Sequence, residues 1–468
     1  MRGAVTSIAR SVPNGRMAIL KSEMLIAMTA ALLVRPLTIG GESAIRPLPV
    51  PPATTAIERN AVSKVPNPIS RGLWWLYQPR YAEARASFDA YIRAHPRDPE
   101  GYFYRTAVDW WQIAQNYELN QPELERRLHD DYQTTVRIAG DLRAHGHDRR
   151  TEARSYLYEG GAEGLWGRWL VTRGEWVKAY HAGKSGAQHL RRALALNPSL
   201  YDADLGLGIY DYYTDTLSGV QRVLSKLLIH GNRRRGLREL RTALDRGQHS
   251  RVEAMLFLIE IYSSHEHQPM KALAIARQLH SDFPQSPAMH LAEIQALYDA
   301  HQWATLAVAS QRFMDRCERN EPYYSNAGIP EGRYYRGLAD LWGQRRVNSC
   351  IALMTSVIAT AAPASRWATF AHLRRGQAYD VERRRSDAMA DYRIVLSRPD
   401  VWGSQAEANA YLHTPFSLSR KEASHSAART WLDSPLPFAG VQETIHPSVD
   451  AEGFAARDKP LAPPRRSA

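Results

Sequence analysis

The stretch YAEARASFDAYIRAHPRDPEGY, residues 81–102, shows a spacing of apolar residues that recurs along most of the chain. Ala84, Phe88 and Tyr91 stand at positions i, i+4 and i+7, on one face of a helix. Pro96 predicts the end of this helix, because proline lacks an amide donor and disfavours helical geometry in the residue before it. The small side chain of Ala84 leaves room for a bulky neighbour. The pattern therefore predicts half of a helical hairpin that packs against further helices.

Periodic segments of 12–20 residues recur between short stretches rich in Pro, Gly, Asp or Asn, and no alternating strand pattern competes with them. Two ladders of small and bulky residues share the spacings 3, 9 and 4, and they consist of Gly72, Trp75, Ala84 and Phe88, and of Gly376, Tyr379, Ala388 and Tyr392. Further copies lie within residues 190–208 and 256–284. Repeated spacings of this kind predict an all-α fold made of similar helical units.

The ladders resemble the tetratricopeptide repeat (TPR), a 34-residue helix–turn–helix with small and large residues at set positions. The resemblance implies helical hairpins stacked into a right-handed superhelix, an α-solenoid, over residues 70–416, with a concave groove for partners. Two helical inserts interrupt the array, at residues 119–150 and 214–231. The segments YLYEGGAEGLWGRW, YDADLGLGIYDYY and SQAEANAYLHTPF also resemble exported bacterial TPR proteins of uncharacterised function.

The N-terminal region differs from the periodic part of the chain. The apolar run MLIAMTAALLV, residues 24–34, follows two basic residues and is too short to cross a bilayer comfortably, but it suits the apolar core of a signal peptide. We therefore expect residues 1–45 to direct export to the periplasm or envelope. A helix of a cytoplasmic protein is the alternative. The proline-rich residues 46–69 predict a linker, and residues 417–468 predict a C-terminal tail of low order.

The composition excludes some kinds of site but does not identify a function. The net charge of +12 over 468 residues favours acidic partners in general and says little about fold. The two cysteines, Cys317 and Cys350, provide neither a disulfide framework nor a cysteine zinc site, so we expect free thiols. We expect no cofactor and no metal.

Two glycine-containing motifs could hold a phosphate. HAGKSG, residues 181–186, lacks the first glycine of a phosphate-binding loop, and no strand precedes it. In YEGGAEGLWG, Gly161, Gly164 and Gly167 lie three apart, and helical periodicity continues through them. HAGKSG is therefore better explained as a loop or a basic position within a helix, and YEGGAEGLWG as a small-residue stripe that lets another helix approach closely.

The second insert contains an apolar stripe beside basic residues. These are Arg222, Lys226, Arg233, Arg234 and Arg235. A basic amphipathic helix can lie on an anionic membrane, which makes contact with membrane or another anion one hypothesis for these five residues. Ordinary packing of the insert helix against its neighbours is the alternative.

The segment YDADLGLGIYDYY contains more hydrogen-bonding side chains than packing requires. They are Asp202, Asp204, Asp211, Tyr212 and Tyr213. Lining a concave surface, such residues would suit an extended peptide or a glycan, whereas buried tyrosines that cap helix ends are the alternative.

The sequence as a whole predicts a non-catalytic scaffold that binds a protein or peptide in the groove of a TPR superhelix. No group of residues fills the roles of an active site, so an enzyme is the weakest hypothesis. A peripheral membrane or envelope-assembly factor is the alternative. Binding of nucleic acid is not expected, because the arginines are not interleaved with an aromatic platform.

Overall fold

The computed structural model describes residues 67–115, 121–146, 148–216, 231–361, 365–401 and 403–418. These residues form helices joined by short turns, with no strand among them. The helices are α1 Pro68–Tyr77, α2 Tyr81–Ala94, α3 Pro99–Gln115, α4 Pro122–His145, α5 Arg149–Thr172, α6 Trp176–Leu196, α7 Ala203–Asp215, α8 Arg233–Arg246, α9 Arg251–Glu260, α10 Pro269–Asp282, α11 Pro287–Asp299, α12 Trp303–Glu318, α13 Ile329–Leu338, α14 Val347–Thr360, α15 Arg366–Val381, α16 Arg385–Leu396 and α17 Ser404–His413. The predicted all-α class is confirmed for the described part of the chain.

Several helix boundaries follow from local chemistry. Asn67 caps α1 by accepting a hydrogen bond from the Ile69 amide at 2.9 Å, and Asp148 caps α5 in the same way. Helix α2 ends at Ala94, two residues before Pro96, as predicted. Helix α1 begins at Pro68, inside the range predicted as linker, because proline suits the first helical position.

Consecutive helices pack against one another, and many also contact the helix after next. At each end of the array a bulky ring lies on a glycine of the preceding helix. A Cβ atom added to Gly72 would lie 2.3 Å from the Phe88 ring, and one added to Gly376 would lie 2.6 Å from the Tyr392 ring. Both glycine–aromatic pairs belong to the ladders of equal spacing, so these two ladders describe the same packing arrangement.

The first ten helices curve back towards their own beginning. The Tyr77 ring at the end of α1 lies 5.5 Å from Phe283, which follows α10, and 5.5 Å from Trp111 of α3. Trp111 Nε1 in turn donates to Glu253 Oε1 of α9 at 2.8 Å. These contacts join residues far apart in sequence, and they enclose a space between α1, α3, α5, α6, α7 and α9.

Several predictions concern residues outside the described ranges. The proposed signal segment, nearly all of the linker, and the tail from residue 419 onwards fall there. In the second insert, Arg222 and Lys226 fall there as well. The first insert contains α4, so its predicted helix is confirmed. Both cysteines are buried free thiols, as expected.

Candidate binding cavity

The space enclosed by the curved helices is a cavity of about 230 Å³, here called the aromatic cavity. Nine aromatic side chains line it: Tyr77, Phe103, Tyr104, Trp110, Trp111, Tyr158, Tyr180, Tyr210 and Tyr213. Leu73, Leu157, Leu205 and Ile209 are among its aliphatic lining. An aromatic and aliphatic wall of this kind is typical of a site that accepts an apolar group.

Seven glycines also line the aromatic cavity: Gly160, Gly161, Gly164, Gly167, Gly183, Gly186 and Gly206. Some of them allow α5 and α6 to approach closely, since a Cβ atom at Gly186 would lie 2.8 Å from the Gly160 carbonyl oxygen. A Cβ atom at Gly164, in contrast, would meet nothing within 4 Å. The glycine stripe therefore has two effects: it brings two helices together, as predicted, and it leaves part of the cavity wall without side chains.

HAGKSG lies inside α6, and the YEGGAEGLWG segment lies inside α5. The helical interpretation of YEGGAEGLWG is therefore confirmed, and of the two alternatives for HAGKSG, a loop or a position within a helix, the structure shows the helix. The sequence did not reveal that glycines of both motifs line one cavity. Two sequence features could have indicated this cavity: the glycine stripe, and the aromatic pairs Phe103–Tyr104 and Trp110–Trp111. Helix α3 presents both pairs to the same space.

Few charged groups reach the aromatic cavity, and Glu253 and Asp202 among them accept hydrogen bonds from neighbouring protein groups. The Arg168 guanidinium lies over the Trp110 ring at 4.7 Å, with Glu253 Oε2 4.0 Å from Nη1. Burial lowers the pKa of Arg168 and raises the pKa of Glu253. Asp202 Oδ1 accepts hydrogen bonds from the His249 amide at 2.9 Å and from the Ser250 amide at 3.0 Å, next to the first turn of α9. The charged groups thus stabilise the wall, and the space between them remains apolar.

The five predicted partner-binding residues are not on one surface. Tyr213 and Asp202 line the aromatic cavity. Asp211 and Tyr212 are fully buried and do not line it, so the expectation that they face a partner is wrong. Asp211 pairs with Arg191 and Arg235, and the Tyr212 hydroxyl donates to Glu266 Oε1 at 2.8 Å. Both side chains link α7 to neighbouring helices instead.

Asp204 is half-buried and is not among the residues of the aromatic cavity. Burial raises its pKa to about 6. The position of Asp204 therefore gives no support to the prediction that it contacts a partner.

The arginines at the start of α8 form ion pairs within the chain. Arg235 pairs with Asp211, and Arg233 Nε lies 2.7 Å from Glu266 Oε1. Arg234 is exposed. An anionic membrane would therefore have to compete with internal carboxylates for two of these three arginines, which weakens the membrane hypothesis. None of the helices in the described part of the chain is long and apolar enough to cross a membrane.

Comparison with known proteins does not assign the chain to a protein family. No protein-family model matches the sequence, and no curated protein matches it significantly.

The carboxyl groups of Asp211 on α7 and Glu239 on α8 lie close together, and they predict that the stability of the protein depends on pH. Burial, followed by the nearby Asp211 carboxylate, raises the pKa of Glu239 from 4.5 to about 7. A carboxyl group whose pKa is raised by folding binds more protons in the folded state, so its contribution to stability decreases as pH rises from about 4.5 to 7. We expect Glu239→Gln to remove this decrease, so that the variant gains stability relative to wild type between pH 5 and pH 8.

Urea denaturation at several pH values measures this difference. Glu123→Gln is the matched control, because the Glu123 side chain is largely exposed and pairs with the exposed Arg126. Parallel pH profiles for wild type and Glu239→Gln would contradict the assignment.

Proposed function

We propose that the protein is a non-catalytic interaction scaffold, a TPR-type array of stacked helical hairpins, that binds an apolar segment of a partner protein in the aromatic cavity. The cavity is the observation that carries this proposal. The helical class and the matching glycine–aromatic pairs at the two ends support the repeat architecture. The apolar run at residues 24–34 supports export, so we expect the partner in the periplasm or envelope.

The energetics of the cavity favour an occupant. Unfilled apolar space costs stability because the lining atoms lose contacts, at roughly 24 cal/mol per Å³. Gly164 keeps part of this space open, because a Cβ atom there would meet nothing within 4 Å. An aromatic or aliphatic anchor from a partner would recover the lost contacts.

The lining also favours an uncharged apolar group. A charged ligand would lose its hydration in a wall of aromatic rings, and Glu253 and Asp202 already accept hydrogen bonds from the protein. Buried aromatic anchors that fill such pockets commonly supply most of the affinity at a protein interface. A partner segment with one or two large apolar side chains therefore fits the cavity best.

We expect Gly164→Leu to abolish partner binding without loss of stability. The new side chain projects from α5 into open cavity space, because a Cβ atom there meets no neighbour within 4 Å. Replacing a glycine inside a helix also gains about 0.5–1 kcal/mol. The variant should therefore melt at or above the wild-type temperature. Peptides selected from a random displayed library on the wild-type full chain should contain an apolar anchor, and their affinity for Gly164→Leu should fall at least tenfold.

Gly140→Leu is the matched control for this experiment. Gly140 lies inside α4, a Cβ atom there also meets nothing within 4 Å, and the residue does not line the aromatic cavity. We expect this variant to bind the selected peptides like wild type. Equal binding to Gly164→Leu, or selected peptides without apolar anchors, would exclude the cavity as the partner site.

A further inference from the structure

The wall of the aromatic cavity contains an incompletely bonded pair of charged groups, Arg168 of α5 and Glu253 of α9. The Arg168 guanidinium lies over the Trp110 ring at 4.7 Å and over the Phe257 ring at 5.1 Å, and these contacts hold it in place. Arg168 Nη1 and Glu253 Oε2 are 4.0 Å apart, which is beyond hydrogen-bond distance. The two groups therefore attract each other without satisfying each other's hydrogen-bonding capacity.

Both members of this pair have polar atoms that a ligand in the cavity can reach. Arg168 Nε is buried without an acceptor among the described residues, whereas Nη1 and Nη2 are accessible. Glu253 Oε1 accepts from Trp111 Nε1 at 2.8 Å, and Oε2 has no hydrogen-bond donor in the described part of the chain. The cavity wall thus offers a free donor and a free acceptor side by side.

The accessible surface of the pair faces the cavity and not bulk water. The two side chains are 16% and 18% exposed, and both residues line the cavity. Burial nevertheless lowers the pKa of Arg168 and raises the pKa of Glu253, as expected for groups surrounded by protein. A hydrogen bond formed there with a ligand is therefore shielded from competition by solvent.

The spacing of the pair suits one bridging oxygen atom. An oxygen about 2.8 Å from both Arg168 Nη1 and Glu253 Oε2 lies within hydrogen-bond distance of each. To bridge them, it must accept from the guanidinium and donate to the carboxylate. A hydroxyl group does both, because it has one O–H donor and two acceptor lone pairs.

Other ligand groups meet only part of this requirement. A carboxylate accepts from Arg168 but is repelled by Glu253. An indole only donates, and the phenylalanine ring neither donates nor accepts. A serine hydroxyl bridges the pair but leaves the apolar space unfilled. An apolar cavity of about 150 Å³ holds benzene, so the aromatic cavity of about 230 Å³ has room for a ring together with a hydroxyl.

We propose that the apolar anchor of the partner is a tyrosine, whose ring occupies the aromatic cavity and whose hydroxyl accepts from Arg168 and donates to Glu253 Oε2. This inference rests on the proposed function and specifies the anchor. It assigns to the pair the selection of tyrosine over phenylalanine, which apolar walls alone would not make.

The side-chain analogues p-cresol, for tyrosine, and toluene, for phenylalanine, test the inference in NMR titrations of the full chain. We expect p-cresol to bind wild type at least tenfold more tightly, because its hydroxyl bonds to two charged groups. Glu253→Gln keeps the side-chain size and an acceptor for Trp111, and Arg168→Met removes the donors. Each should reduce the preference to less than about threefold. Gly164→Leu fills the cavity and should weaken the binding of both compounds.

Glu293→Gln is the matched control. Glu293 is likewise a largely buried glutamate, bonded to His280, and it does not line the aromatic cavity. Its preference for p-cresol should equal that of wild type. Equal affinities of p-cresol and toluene for wild type would overturn the inference and leave the cavity as an apolar site. An unchanged preference in both Glu253→Gln and Arg168→Met would overturn it as well. Failure of both compounds to bind would overturn the inference and the proposed function together.

The peptides selected on the wild-type chain provide a second measurement. Their anchor should be a tyrosine, and its replacement by phenylalanine should lower the affinity for wild type at least tenfold but change the affinity for Glu253→Gln much less. Selected peptides with leucine or tryptophan anchors in place of tyrosine would overturn the inference while supporting the proposed function.

Discussion

The Glu407→Ala variant is expected to lose about 3–5 kcal/mol of its free energy of unfolding. Glu407 of α17 accepts from Arg374 Nη1 of α15 at 2.8 Å, and both side chains are about nine-tenths buried. The arginine also contacts Gln377 Oε1 at 3.1 Å, a neutral group that cannot replace the lost charge. Removal of the carboxylate would leave a buried cation without its counter-ion, and this desolvation penalty dominates the cost.

Two further variants separate a buried charge effect from simple loss of a side chain. Asp387→Ala removes the partner of Arg384 in a pair whose side chains are about half exposed, and it should cost less than about 1 kcal/mol. The double variant Arg374→Met, Glu407→Leu removes both charges and should recover most of the loss, since apolar residues can replace a buried pair. Denaturation followed by circular dichroism gives all three values. A small loss for Glu407→Ala, or no recovery in the double variant, would show that the pair is not the main interaction between α15 and α17.

The Gly236→Ala variant is expected to lose about 2–3 kcal/mol, because α7 and α8 cross with their backbones in contact. A Cβ atom at Gly236 would lie 2.6 Å from the Tyr212 amide nitrogen and 2.8 Å from the Gly208 carbonyl oxygen. These atoms belong to the backbone of α7 and cannot rotate away as a side chain can. The helices would have to separate, which would also strain the ion pair between Asp211 and Arg235.

Gly140→Ala provides the comparison for Gly236→Ala. Both glycines lie in helices, but the space around Gly140 is open, so alanine there should stabilise the protein by about 0.5–1 kcal/mol through helix propensity alone. Thermal melts of the two variants should therefore shift in opposite directions. A rise in melting temperature for Gly236→Ala would mean that the crossing of α7 and α8 is looser than described.

The positions of the helices could be predicted from the sequence because they depend on residues three or four apart. The face formed by Ala84 and Phe88 is buried, and the helix that contains it ends before Pro96. The equal spacings of the two ladders predicted similar helical units, and the structure shows the same contact in both, with Phe88 on Gly72 and Tyr392 on Gly376. In each case the interacting residues belong to one helix or to two consecutive helices, so local periodicity contains the information.

The candidate sites could be predicted only in part. The segment around residues 202–213 was expected to present a row of polar side chains, yet Asp211 and Tyr212 are buried and only Tyr213 and Asp202 line the aromatic cavity. A helix rotates by about 100° per residue, so neighbouring side chains point to different surroundings. The sequence shows this rotation but not which helices lie on each side. Contact with an anion was, for example, one of two hypotheses for Arg235, and its actual partner is a buried carboxylate on the preceding helix.

By itself, the sequence determined that the periodic part of the chain forms helices, that α2 ends before Pro96, and that the two end ladders belong to similar helical units. The tertiary structure alone decided that α1 returns to contact the region after α10, and that six helices enclose an aromatic cavity. It also decided that Arg168 and Glu253 lie 4.0 Å apart in the wall of this cavity. The physical reason is the range of the interactions. Helix formation is governed by nearby residues, whereas the cavity depends on contacts such as that between Tyr77 and Phe283, which no local pattern encodes.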